Sequence, residues 1–104
     1  MEIVWTNEAE FQLQTIIDYY LEVASTQVVE KLVAKITNAV TRLSSFPHIG
    51  HIEHYLEGLP FKYYSFVAHP NYKIIYRIQN TTIYITGIWD CRQDPYRMAS
   101  KVGN

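Results

Sequence analysis

The stretch from Tyr72 to Pro95, YKIIYRIQNTTIYITGIWDCRQDP, constrains the fold of this chain more than any other. Tyr72, Ile74, Tyr76 and Ile78 alternate with Lys73, Ile75, Arg77 and Gln79, the period of a strand with one apolar and one mixed face. Asn80-Thr81 follows, and asparagine tolerates the positive φ of a tight turn. A second run then places Ile83, Ile85, Gly87 and Trp89 on one face and Tyr84, Thr86, Ile88 and Asp90 on the other. It ends in a polar cluster, Asp90-Cys91-Arg92-Gln93-Asp94, closed by Pro95. A hairpin with a charged lip at its exit is expected, with the rest of the chain packed around it.

Upstream, Glu2–Trp5 reads as a short strand because β-branched Ile3 and Val4 stand beside an aromatic. Thr6 or Asn7 can cap a helix, and Asn7 with Glu10 has the spacing of a capping box. Ala9, Leu13, Ile16, Ile17, Tyr20, Leu21 and Ala24 make one apolar stripe at the helical period. Ser25 and Thr26 offer a second cap. Val29, Leu32, Val33, Ile36, Ala39, Val40 and Leu43 then form a second stripe, which Pro47 ends. So short a connection implies an antiparallel helix pair.

His48 to Pro60 reads as loop with a short extended piece at Ile52–Leu56, and Phe61–Ala68 as an aromatic-rich strand. The tail from Tyr96 is basic and helical for a turn at most. The order is strand, helix, helix, three-stranded meander. This predicts an α+β fold in which an antiparallel helical hairpin packs on a mainly antiparallel sheet. Ile16, Leu32, Ile36, Ile74, Tyr76 and Ile85 are the expected core.

A length of 104 residues, 48% apolar and 18% charged, describes one globular domain over residues 1–104. Three cations against seven carboxylates give residues 1–54 a net −4, and six against three give residues 55–104 a net +3. The basic half suits nucleic acid or an acidic protein segment, or is a solvated face. Cys91 is the only cysteine, so no intrachain disulfide forms and a reducing compartment fits. The N-terminus has neither the basic nor the apolar region of a signal peptide, and no run approaches the ~20 apolar residues of a membrane helix. A cytoplasmic protein with no membrane partner is expected.

Few constellations carry chemistry. His48, His51 and His54 are close in sequence, yet no carboxylate or thiol pattern completes a metal site, so exposed loop histidines are expected and no metal or cofactor is called for. Nothing places Cys91 beside His69 as nucleophile and base; a lone cysteine at a strand end reads as a small apolar filler. The chain has no phosphate loop, dinucleotide fingerprint or nucleophile elbow. What remains is Lys73, Arg77, Arg92, Tyr96 and Arg97. Lys73 and Arg77 share a strand face, about 13 Å apart at the strand rise. With Arg92 and Tyr96 they can hold a phosphate backbone and stabilise charge at phosphorus, or simply be solvated.

Taken together, Trp5 with Ala9, the Leu43-x-x-Phe46-Pro47-x-x-Gly50 ending, the Tyr72–Arg77 strand and Trp89-Asp90-Cys91-Arg92-Gln93-Asp94-Pro95 run along nearly the whole chain. In that order and spacing the chain resembles the RelE/ParE family, the toxins of bacterial type II toxin–antitoxin (plasmid stabilisation) systems. The resemblance implies a cognate antitoxin that wraps the toxin in a hetero-oligomer and neutralises its growth inhibition. RelE-like members cut messenger RNA on the ribosome without a metal. Carried over, Lys73 and Arg92 would then stabilise the phosphorane and Tyr96 would move the proton. ParE-like members poison DNA gyrase and need no such set. Lys62 alone in the strand from Phe61 to Val67, the net charge of −1 and the Arg92-Gln93-x-Pro95 ending look more like the ParE branch. That branch implies a protein-binding inhibitor with Arg77, Trp89, Arg92 and Gln93 on the contact surface and no catalytic residue. The ribosome-dependent endonuclease and an inactive antitoxin-binding homologue are the alternatives.

Overall fold

The computed structural model describes residues 1–103. Strand β1 (Glu2–Trp5) leads into helices α1 (Asn7–Val23) and α2 (Thr26–Ser45). Strands β2 (His51–Ile52), β3 (Tyr64–His69), β4 (Tyr72–Gln79) and β5 (Thr82–Asp90) follow, with 3₁₀ segments at His54–Leu56 and Pro95–Ser100. The five strands form one sheet in the order β1-β5-β4-β3-β2. All neighbours are antiparallel except β1, which runs parallel to β5. The layered α+β architecture is therefore the one the patterning predicts. The third strand, however, begins at Tyr64 instead of Phe61, and the loop before it contributes the short edge strand β2.

Local chemistry explains the element ends. Thr6, not Asn7, caps α1: its hydroxyl accepts from the Ala9 amide at 3.2 Å, so the Asn7–Glu10 box does not form. Ser25 caps α2 by accepting from the Val28 amide at 3.3 Å. Asn80 takes φ of 55° in the β4–β5 turn, as a short hairpin loop requires.

Helix α1 lies over β5 and α2 over β3, and between helices and sheet sits the main core of Leu32, Ile36, Leu43, Ile74, Tyr76, Ile83 and Ile85. Ile16, expected there, is only half-buried at its margin. The phenol of Tyr76 is fully buried yet satisfied, donating to the Pro47 carbonyl at 2.9 Å and accepting from the Gly50 amide at 3.0 Å. That approach needs glycine at position 50, since a Cβ there would lie 2.5 Å from the phenol oxygen and 2.7 Å from the Ser65 carbonyl oxygen.

The alternation read along β5 breaks in the middle. Ile75 pairs with Gly87 and Tyr76 with Ile85, which leaves Thr86 as an extra residue, a β-bulge. Thr86 is buried and donates its hydroxyl to the Ile75 carbonyl at 3.2 Å. Beyond it the faces exchange. Ile88 joins the helix-side core with Ile83 and Ile85, while Trp89 turns to the opposite face. The expected grouping of Ile83, Ile85, Gly87 and Trp89 on one face is thus corrected.

The mixed face is not left wet either. Leu56, Tyr63, Ile75, Trp89 and Met98 form a second, smaller core beneath the two 3₁₀ segments. The tail is consequently longer in structure than expected: Asp94 caps Pro95–Ser100, and the Gly103 amide returns to the Thr86 carbonyl at 2.8 Å. No helix among the described residues is long and apolar enough to cross a membrane.

Candidate functional site

The lip after β5 is held by its own side chains. The Cys91 amide donates to the Asn71 carbonyl at 2.8 Å, tying the lip to the β3–β4 turn. Arg92 then folds back on Asp90 in a two-pronged contact, Nε to Oδ1 and Nη2 to Oδ2, both at 2.9 Å. The Arg92 amide also donates to Asp90 Oδ1 at 2.9 Å. These hydrogen bonds hold the Asp90 carboxyl below the usual carboxylate range and push the Arg92 guanidinium further up. The guanidinium sits 5.9 Å over the Tyr72 ring and donates to its phenol oxygen at 3.4 Å. Burial first, then the hydrogen bond to Tyr20, raises the pKa of the Tyr72 phenol, so it stays neutral beside the cation.

This fixed cation stands at the mouth of a groove of about 630 Å³ between α1 and the lip. Phe11, Ile16 and Tyr19 line the α1 wall; Tyr72, Arg92 and Gln93 line the other. Gln12 pins the two walls together, accepting from the Ile88 amide at 2.8 Å while its amide nitrogen donates to the Lys101 carbonyl. Phe11 is 72% exposed and Tyr19 54%, so the α1 wall presents aromatic rings outward. The groove is largely apolar, with Glu8, Asp90 and Lys101 also in its lining beside the preoriented Arg92 guanidinium, a mixture that suits a protein side-chain cluster better than a small charged ligand.

The other sequence-derived residues are dispersed. Trp89 touches the groove, but its side chain is buried in the second core. Arg77 is only 8% exposed, its guanidinium 4.2 Å from both the Phe61 and Tyr84 ring centroids, and it donates to Gln79 Oε1 at 2.8 Å. It acts as packing between two rings on the face away from the helices. Lys73 lies on that same face, in an ion pair with buried Glu53, whose second oxygen accepts from the Tyr55 amide at 3.2 Å. Tyr96 is 82% exposed, its ring edge-on to Tyr55 at 5.3 Å. Lys73 and Tyr96 therefore belong to the surroundings of Glu53 and Tyr55, whereas Arg92 is turned to Tyr72 on the helix side.

Sequence reasoning gave no role to Glu53, Gln12 or the aromatic α1 wall, and named Asp90 in the lip without its clamp on Arg92. The wall left a signal in the apolar Phe11 and Tyr19 that fall off the main stripe, and Asp90 left one in its place beside Arg92 in the motif. Cys91, read as a filler, is exposed. His48, His51 and His54 are exposed, and His54 pairs with Glu57 at 2.6 Å. Among the described residues no three His, Cys, Asp or Glu side chains cluster as metal ligands.

Residues 3–95 match the family model described as the ParE toxin of the type II toxin–antitoxin system, parDE. The chain belongs to this family. No curated protein sequence matches it. Among solved structures, one titled "Chromosomal ParDE TA system from P. aeruginosa" shares the fold, with a TM-score of 0.71 at 21% identity, covering 86% of this chain and 95% of that one. The ParE branch read from the Arg92-Gln93-x-Pro95 ending is thus the branch to which the chain belongs, and a type II system implies an antitoxin partner.

Proposed function

We propose that this ParE-family toxin inhibits growth from the cytoplasm as a binding inhibitor of a protein target, DNA gyrase, and that its cognate antitoxin neutralises it in a hetero-oligomer. The observation that carries this reading is the Arg92 guanidinium, clamped by Asp90 at the mouth of an apolar groove beside Gln93. A side chain held in its bound geometry beforehand gives up little freedom on docking, and arginine with aromatic neighbours is what tight interfaces use.

The division of the basic residues supports the same choice. A metal-free ribonuclease needs Lys73, Arg92 and Tyr96 to converge on one phosphate. Here Lys73 already has a buried carboxylate partner, and Arg92 is directed to the other side of the sheet. No residue is catalytic in this reading. Arg92 and Gln93 make the target contact, while Arg77 and Trp89 hold the strands that present them.

The test is supercoiling by purified DNA gyrase with the wild-type chain and with Arg92→Ala. Inhibition by the wild type that weakens about tenfold or more in the variant is expected. Codon-positioned cleavage of mRNA on ribosomes, lost in Arg92→Ala/Tyr96→Phe, would instead establish the endonuclease.

A further inference from the structure

The groove beside the lip carries its unbalanced charge on α1, not on Arg92. Asp90 and Arg92 face each other through two side-chain hydrogen bonds, so their charges cancel within the lip. Helix α1 holds Glu8, Glu10, Asp18 and Glu22 between Asn7 and Val23, and not one lysine or arginine. All four carboxylates are exposed, and none is in an ion pair among the described residues. With Arg92 matched, Lys101 is the one cation left in the lining among the described residues.

Two of these carboxylates flank the exposed rings of the groove wall. Phe11, Thr15 and Tyr19 fall at i, i+4 and i+8 and form one ridge along α1. Glu8 precedes Phe11 by three residues and Glu22 follows Tyr19 by three, so each ring has a carboxylate one turn outward along the helix. Glu8 lines the groove at its tail end, next to Gly103. Asp18 lies one turn beyond Thr15, where it accepts from Gln14 Nε2 at 2.8 Å. The Tyr19 ring is held edge-on to Tyr20 with centroids 5.3 Å apart, and Tyr20 in turn meets the Tyr72 ring at 6.5 Å. Two exposed rings set among carboxylates gain nothing on a face that only meets water.

We propose that the α1 wall is a receptor for arginine, and that the target segment entering the groove is extended and carries two arginines. The inference rests on the groove being the target contact and specifies what the target offers there. A guanidinium stacks flat on an aromatic face while its N–H edge donates to a carboxylate, and both contacts strengthen as water is excluded. Lysine has no planar fork and makes this double contact poorly. Phe11 and Tyr19 are about 12 Å apart along the helix axis. Arginines at positions i and i+4 of an extended segment stand about 13 Å apart and point the same way. One then takes Phe11 with Glu8, the other takes Tyr19 with Glu22, and residue i+2 settles on Thr15, the small residue between the rings. The alternate residues face Tyr72 and the lip, where apolar side chains fit against the neutral Asp90–Arg92 pair. Nucleic acid is disfavoured here, because its phosphates meet the same carboxylates.

The probe is a short, fluorescently labelled, N-acetylated and C-amidated peptide with two arginines four positions apart and leucine and valine between them. Its controls carry citrulline or glutamate in place of arginine. Binding is read by anisotropy against the wild-type chain, Glu8→Gln/Glu22→Gln and Phe11→Ala/Tyr19→Ala, all exposed positions, with the fold checked by circular dichroism. The arginine peptide should bind the wild type and weaken with added salt. Citrulline, which keeps the shape and loses the charge, should weaken binding about tenfold or more, and so should either double variant. The same variants are assayed for inhibition of gyrase supercoiling, where a loss of about tenfold is expected in both. Equal binding of the citrulline or glutamate peptide, or peptide binding indifferent to Glu8→Gln/Glu22→Gln, would overturn the proposal. So would gyrase inhibition that survives intact in the variant that no longer holds the peptide, since the target would then bring no arginine to the groove. A wild-type chain that leaves gyrase untouched would sink the gyrase reading alone, and the peptide would still decide this one.

Discussion

At the scale of single residues, two contacts set the terms. The Tyr76 phenol is buried between the Pro47 carbonyl and the Gly50 amide, so Tyr76→Phe leaves two polar backbone groups without a partner. A loss of about 1–3 kcal/mol is expected in urea titration. Gly50→Ala should cost a similar amount, about 1–3 kcal/mol, because its Cβ is driven into the phenol and the Ser65 carbonyl. The double variant should recover only part of the loss, since removing the hydroxyl relieves the first clash and leaves the second. Asp90 makes a pH prediction. Its folded pKa lies below its ordinary value of 3.8, so the unfolded chain binds more protons in that window. Stability from the Asp90–Arg92 contact is thus complete above the ordinary pKa and lost as pH falls through the folded one. The pair is partly exposed, so the effect is small, and Arg92→Ala should flatten the acid limb of stability against pH. A limb of unchanged slope would place the anchoring of Asp90 elsewhere.

At the scale of elements, what was legible in the sequence is what repeats locally. Both helices follow from their apolar stripes, and the β4–β5 turn follows from Asn80 alone. Ile36→Ala, from the middle of the α2 stripe, should cost about 2–5 kcal/mol, and Ile16→Ala on half-buried α1 distinctly less. Equal urea midpoints for the two would contradict the burial difference. The Thr86 bulge was not legible, because the letters from Ile83 to Asp90 read through it with an unbroken period of two. A bulge is chosen by what covers each face, and here the second core under the tail decides it. The Glu53–Lys73 pair joins residues 20 apart through a loop with no period at all. Arg77 shows the same limit. Its strand position was readable, but the Phe61 ring that encloses it comes from an irregular segment.

At the scale of the whole molecule, the candidate site was half legible: the motif carries Arg92 and Gln93, which line the groove, and Asp90 beside them, but neither the clamp of Asp90 on Arg92 nor the part of Gln12 and the α1 wall could be read from it. The split into a −4 and a +3 half is also coarser than the surface it describes. Lys73 and Arg77 of the basic half are inward and engaged, while the cations of the acidic half, Lys31, Lys35 and Arg42, all lie exposed on α2. A partner drawn by charge should associate more slowly as salt rises, and a rate that stays flat would argue against electrostatic attraction. We propose that this ParE-family chain inhibits by contact through the Arg92 lip and cuts nothing. The most direct measurement is to induce the chain without its antitoxin and follow plasmid supercoiling and mRNA integrity in the same cells. Early loss of supercoiling with intact transcripts is expected, with recovery in Arg92→Ala. Transcripts cut at codon positions while supercoiling holds, with cutting abolished by Arg92→Ala/Tyr96→Phe, would contradict it.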